Sequence, residues 1–259
     1  SNNGSNQLDE TYVAWNWKLN GTGAANTDGT INTTATTVAA HGGISISTYT
    51  GDGNDNATIG HGLSGTPELV IIKPRNYADN WVISWGNGNG MSGLTSAAYM
   101  YFTTGAQGGE GNGRFLANDS DTVNLGTNWN NINKDDSSTY VMYCFRSIDG
   151  MQKIGTYVGN ENADGTFVYT GFRPAYFMVK RTNSTSAWLI YDTARNVYNL
   201  AGDLLEANTA DAEESNATGI DFLSNGLKMR NTFGGANASG GTYIYMAFAE
   251  QPFKYANAR

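Results

Sequence analysis

The chain has 259 residues, with 15 Lys and Arg against 23 Asp and Glu, a net charge of −8 and only 15% charged residues. That balance argues against a nucleic-acid partner, which needs clustered Lys and Arg. No run reaches the length of an apolar membrane-spanning helix and Ser1–Glu10 lacks the regions of a signal peptide, so no membrane role is expected.

The 33 glycines, with abundant Asn, Thr and Ser, imply many turns and little helix. The single cysteine, Cys144, lies in the apolar run Tyr140–Phe145 and reads as a buried thiol, which leaves stability to packing.

In chain order, the first predicted element is Thr11-Tyr12-Val13-Ala14-Trp15-Asn16-Trp17-Lys18, whose pattern returns in Thr139–Arg146 and again in Thr242–Ala249. The later copies each end a longer repeat. Residues 1–18 therefore read as the closing strand of a preceding unit, with the chain as the C-terminal part of a longer polypeptide; a merely strand-like N-terminus is the alternative. Residues 19–42 hold few large apolar groups and read as a linker with a short hairpin packed against the unit that begins at residue 43.

From residue 43 the chain repeats itself. Ser47-Thr48-Tyr49-Thr50-Gly51 is echoed by Gly155-Thr156-Tyr157-Val158-Gly159 at an offset of 108. Pro67–Lys73 and Trp81-Val82-Ile83 match Pro174–Lys180 and Trp188-Leu189-Ile190 at 107, and Thr139-Tyr140-Val141 matches Thr242-Tyr243-Ile244 at 103. The offset drifts smoothly, as small loop deletions would make it do. The repeat defines two units, residues 43–150 and 151–259.

Inside each unit, short runs rich in β-branched and aromatic residues lie between Gly, Asn, Asp and Ser clusters, the pattern of strands joined by turns. Leu69–Ile72, Trp81–Trp85, Tyr99–Thr103, Tyr140–Phe145, Tyr176–Val179, Trp188–Tyr191 and Tyr243–Phe248 are examples. Several are apolar throughout, as expected of strands covered on both faces or placed between units. The expected fold is all-β, two tandem β-sandwich units with jelly-roll-like topology. The one helix candidate, Asp203–Glu214, is read instead as strand followed by loop because its repeat partner, Tyr99–Gln107, is strand-like.

Chemistry is sparse. The two histidines, His41 and His61, have no Cys or second His at metal-ligand spacing and read as turn or surface residues. No Ser elbow, phosphate loop or zinc-protease helix occurs, so no catalytic residue is assigned. The acids Glu68, Asp79, Asp119, Asp121, Asp192 and Asp221 flank turns, where a solvated carboxylate belongs, rather than forming a glycosidase pair. Arg195 stands three residues after Asp192, a spacing that fits a structural turn bond.

Two loops repeat an oxygen pattern, Asp52-x-Asn54-x-Asn56 and Asn160-x-Asn162-x-Asp164. Alternating oxygens are what calcium takes, but the full loop with its closing Glu is missing, and Asx residues so spaced also close turns. The turn reading is preferred and no cofactor is expected, with calcium as the alternative. Trp81 and Trp188 occupy equivalent places, which argues for a core role, whereas Trp85 aligns with Asp192 and is the better candidate for an exposed, ligand-binding ring.

The runs Thr11–Lys18, Tyr49-Thr50-Gly51, Gly60-His61-Gly62-Leu63, Thr170–Ala175, Trp188–Asp192 and Gly241–Phe253 together resemble a domain of unknown function seen in marine and cyanobacterial phage structural proteins, often tail-fibre-like. The resemblance covers nearly the whole chain and brings no catalytic motif. It implies a virion component with other virion proteins as partners and a host cell-surface glycan as a candidate ligand. The expected roles are part of a tail fibre, tailspike or other adhesion appendage, a capsid decoration protein without a receptor, or a polysaccharide-cleaving tailspike domain. A homo-oligomer is expected, a trimer being one closed form.

Overall fold

The computed structural model describes residues 8–9, 11–85, 98–103, 105, 118–127, 129–215 and 219–252. Parts of the expected end segments, residues 1–7, 10 and 253–259, lie outside the described residues. The first half contains β1 (Thr33–Val38), β2 (Ile44–Thr50), β3 (Thr58–Gly60), β4 (Leu69–Pro74), β5 (Val82–Trp85), β6 (Ala98–Tyr101), β7 (Thr122–Asn124), the helical turn α1 (Asn130–Asn133) and β8 (Thr139–Phe145). The second contains β9 (Gln152–Val158), β10 (Phe167–Tyr169), β11 (Pro174–Arg181), β12 (Trp188–Asp192), β13 (Leu205–Glu206), β14 (Ile220–Leu223), β15 (Gly226–Met229), the turn α2 (Gly234–Asn237) and β16 (Thr242–Ala249).

The broad sheet of the first half runs β1-β2-β8-β4-β5-β6 and that of the second β9-β16-β11-β12-β13. Setting β9 on β2, β16 on β8, β11 on β4, β12 on β5 and β13 on β6 makes the two orders identical, with β1 as an extra edge on the first. All pairings within these sheets are antiparallel. Each broad sheet is faced by a narrow one, β3-β7 in the first half and β10-β15-β14 in the second. The result is an all-β sandwich twice over, with a broad and a narrow sheet in each half among the described residues.

The strand alternation explains why so many runs are apolar throughout. In β4, Val70 and Ile72 face the core under β3 and β7, while Leu69 and Ile71 face the other way. In β16, Tyr243, Tyr245 and Ala247 face the second core, while Ile244, Met246 and Phe248 face away from it. Those outward sets meet: Leu69, Ile83, Trp85 and Met100 of the first half form one cluster with Ile154, Met178, Trp188, Ile190 and Met246 of the second. Both faces of each broad sheet are therefore buried, one in its own unit and one against the other unit.

Repetition extends to single atoms. Tyr49 Oη donates to the Ile132 carbonyl at 2.6 Å and Tyr157 Oη to the Ala236 carbonyl at 2.6 Å. Tyr49 stacks on Tyr140 at 5.0 Å, and Tyr157 on Tyr243 at 4.7 Å. In each unit the second tyrosine accepts from the backbone N–H that follows the helical turn, Lys134 to Tyr140 and Ala238 to Tyr243. This pair of rings gives a four-residue helix, too short to persist alone, its fixed seat.

The segment 19–42 forms the expected hairpin: Ala24 bridges Thr36, and β1 extends the sheet beside β2. It also contributes to the core through Ile31, 6% exposed. Thr11–Lys18 is not a strand; it crosses the seam between the units, where Trp15 and Trp17 pack on Tyr176. Asp203–Glu214 holds only the short β13 and turns, as its repeat partner suggested.

Candidate functional site: an aromatic cleft between the units

The outward faces of the two broad sheets do not close completely. A cleft of about 380 Å³ remains, with Ile71, Tyr143 and Phe145 on one wall, Tyr176, Met178 and Met246 on the other, and Trp17, Trp81 and Phe102 around it. Each wall residue stands on a strand position that points to the seam, so the cleft follows from strand alternation. Trp17 reaches it from the N-terminal segment, edge-on to Tyr176 at 5.8 Å and tilted on Phe248 at 5.1 Å.

Two indoles remain open to solvent, Trp17 at 41% and Trp81 at 40% exposure. Trp81 leans on Tyr143 at 6.2 Å with 29° between the planes. No carboxylate, histidine, lysine or arginine lines the cleft among the described residues. Tyr176 Oη faces the Met178 sulfur at 3.5 Å, and burial pushes its phenol pKa up, so it stays neutral. Such a surface offers ring faces, thioethers and a few O–H and N–H donors, groups suited to stacking and apolar contact.

Of the tryptophan assignments made from the alignment, those of Trp81 and Trp85 are reversed, while Trp188 is buried as expected. Trp85, expected as an exposed ligand-binding ring, is 1% exposed in the seam cluster, because its place in β5 points at the other unit. Trp81, expected in a core, is the exposed ring. Its counterpart Trp188 is 2% exposed because Phe102 of the first unit stacks on it at 5.0 Å. His61, expected at a turn or surface, is 0% exposed, its Nδ1 accepting the Leu63 N–H at 3.0 Å, and burial lowers its pKa.

The six oxygen-bearing loop residues are engaged in backbone closure and ion pairs. In the first unit, Asp52 Oδ1 accepts the Asn54 N–H at 2.9 Å and the Asn133 amide at 2.9 Å, while Asn133 also donates to the Asn54 carbonyl at 3.0 Å. Asn56 adopts φ 58° and donates its N–H to Gly126. In the second, Asn160 Oδ1 accepts the Asn162 N–H at 3.1 Å and the Asn237 amide at 3.1 Å, and Asn237 donates to the Asn162 carbonyl at 3.0 Å. Asp164 is ion-paired with Lys228 at 2.7 Å and Arg230 at 3.6 Å. Asn133 and Asn237, both fully buried, thus fasten the two loops in the same way. Neither was singled out from sequence; each stands at the end of its helical turn, an offset of 104, and only the fold brings it to the loop. No group of three or more His, Cys, Asp or Glu converges among the described residues.

The acids weighed for catalysis are engaged locally. Glu68 accepts the Ser147 N–H and Asp79 accepts from Asn80 N–H and the Asn131 amide. Asp119 accepts from Asp121 and Thr122 N–H, Asp121 from Ser120 Oγ and Asp221 from Arg230. Asp192, 3% exposed, accepts the N–H of Ala194 and Arg195 and also the Arg195 guanidinium at 2.7 Å, so turn bond and ion pair coexist.

No curated protein and no solved structure matches the chain. A family model described as Domain of unknown function (DUF7483) matches residues 1–252, and the chain belongs to that family.

Proposed function

We propose that this protein is a bacteriophage virion component that works by recognition rather than catalysis, as part of a tail fibre, tailspike or related adhesion appendage, with the aromatic cleft as its contact site for a host cell-surface glycan. The observation that carries the reading is the cleft itself: a cavity walled by aromatic rings, with two indoles about 40% exposed and no carboxylate, histidine, lysine or arginine in its lining among the described residues. Pyranose rings present C–H faces that stack on indole and phenol, and an exposed pair of such rings is costly to maintain without a ligand. The resemblance of the motif set to phage structural proteins supports the virion setting, and the doubly covered sheets supply a stiff frame.

A glycan array probed with the protein and with Trp81→Ala tests the contact site. Signal on a restricted set of saccharides, lost in the variant, is the expected result. Antibodies that label the particle head, with no glycan retained, would favour a capsid decoration protein instead. Release of reducing sugar from host capsule would favour a polysaccharide-cleaving tailspike domain.

A further inference from the structure

In the first unit one open side of the sandwich is closed by residues 24–38. β1 pairs along β2 from Val38 opposite Ser45 to Thr33 opposite Tyr49. At the tip of the same hairpin, the Ile31 N–H donates to the Thr58 carbonyl at 3.0 Å and Ile31 bridges Ile59, which covers the outer edge of β3. One short stretch therefore adds to the edges of both the broad and the narrow sheet. Asn26 lies so close to Gly60 that a Cβ there would meet its Oδ1 at 1.6 Å.

The second unit has the same two edges, β9 and β10, and no wrapper. β8 ends at Phe145 and β9 starts at Gln152, leaving no chain to fold back. The near end of β9 is capped locally, Gln152 by Ile148 and the Ile154 N–H by Ser147 Oγ at 3.0 Å. Strand alternation turns Thr156 to the same outer edge as Ile154. No strand among the described residues pairs with that edge or with the outer edge of β10. Beside these edges stand Val158 at 57%, Phe167 at 42% and Tyr169 at 64% exposure, where the first unit has Thr50, Thr58 and Gly60 under the hairpin. Side-chain hydroxyls reach two of the carbonyls there, Thr166 Oγ1 donating to Val158 at 2.7 Å and Tyr245 Oη to Tyr169 at 3.5 Å, but no strand does. An edge without a partner strand, flanked by large apolar side chains, is a template for strand addition.

We infer that this side of the second unit accepts, in trans, an extended segment of another polypeptide chain, which adds as a strand along β9 and β10 as residues 24–38 do in the first unit. Tyr169 stands where Asn26 lies on Gly60, so the incoming segment needs a small or aliphatic residue at that point. Asp164, nearby, is already paired with Lys228 and Arg230, which suits an uncharged segment.

The test uses the whole chain and a fluorescein-labelled synthetic peptide with the sequence of Ala24–Val38, carrying Asn26→Ala and a photo-crosslinking group. Saturable binding is expected, with crosslinks to residues 156–158 or 167–169. The surface variants Val158→Lys and Tyr169→Asp, each checked for an unchanged circular dichroism spectrum, are expected to weaken binding about tenfold. No binding up to about 1 mM peptide, a far weaker affinity than a specific strand contact gives, overturns the inference. So do crosslinks confined to residues 44–60, or unchanged affinity in both variants.

Discussion

Trp81 and Trp188 hold the same register position in the two units, yet one is 40% exposed and the other 2%. Both point to the seam, because the repeat sets which face of the sheet a side chain takes. What differs is the cover: Phe102 stacks on Trp188 at 5.0 Å, whereas Trp81 faces Tyr143 across a wider 6.2 Å. The edges tell the same story, since β2 carries β1 while the equivalent β9 pairs on that side with no strand among the described residues. A tandem repeat thus copies the interior of a fold and leaves its boundaries free to diverge, and in this chain the cleft and the bare edge both lie at boundaries.

The sharpest way to break that comparison is at Trp81, just before β5, and Trp85, at its end. Trp85→Ala empties a fully buried site in the seam and is expected to cost about 3–5 kcal/mol in urea unfolding. Trp81→Ala, four residues earlier on an exposed position, is expected to change stability by under about 1 kcal/mol while removing cleft binding. Equal destabilisation by the two would end the distinction between seam and cleft.

Next in size are the asparagines that fasten the two loops. Asn133→Ala and Asn237→Ala each strand buried backbone and amide partners and are expected to cost about 2–3 kcal/mol, by similar amounts. If the loops are held by these side chains, calcium at millimolar levels leaves the melting midpoint unchanged in the parent protein. A calcium-dependent rise would return the six loop residues to the role of ligands.

A pH series separates the units by their lysines. Lys180 is fully buried, donates to the Arg181 carbonyl at 2.8 Å, and burial pushes its pKa down to about 8, whereas its counterpart Lys73 is only partly buried. Between about pH 8 and the usual lysine value of about 10.4, the unfolded chain binds more protons at this site than the folded one, so its contribution makes stability rise with pH. Above about pH 10 the buried phenols of Tyr49 and Tyr157, with pKa values raised by burial, act in the opposite sense, because the unfolded chain loses their protons first. The denaturation midpoint is expected to climb from pH 8 and then fall. In Lys180→Met the climb disappears and the fall remains.

Much of the interior was legible in the amino-acid order. Runs such as Trp188–Tyr191, apolar on both faces, announced strands buried twice, and the drifting offset announced two copies of one sheet order. The cleft was not legible. Its walls come from residues such as Tyr143 and Tyr176 whose local pattern matches that of core strands, and its openness depends on how far two sheets separate. Trp85 was misplaced because alignment with Asp192 compared residue types, while burial is decided by what lies opposite. His61 looked like a turn residue among glycines; those glycines instead allow the chain to pack closely around it.

Composition, periodicity and self-similarity by themselves determined that this protein is built of strands and that it repeats, because those properties depend on residue type and on spacing along the chain. Only the tertiary structure decided which indoles meet solvent, which asparagines hold the loops, and which sheet edge is left open. Most of those depend on contacts between residues far apart in the chain, such as Asn133 with Asp52 and Phe102 with Trp188, which local sequence does not fix.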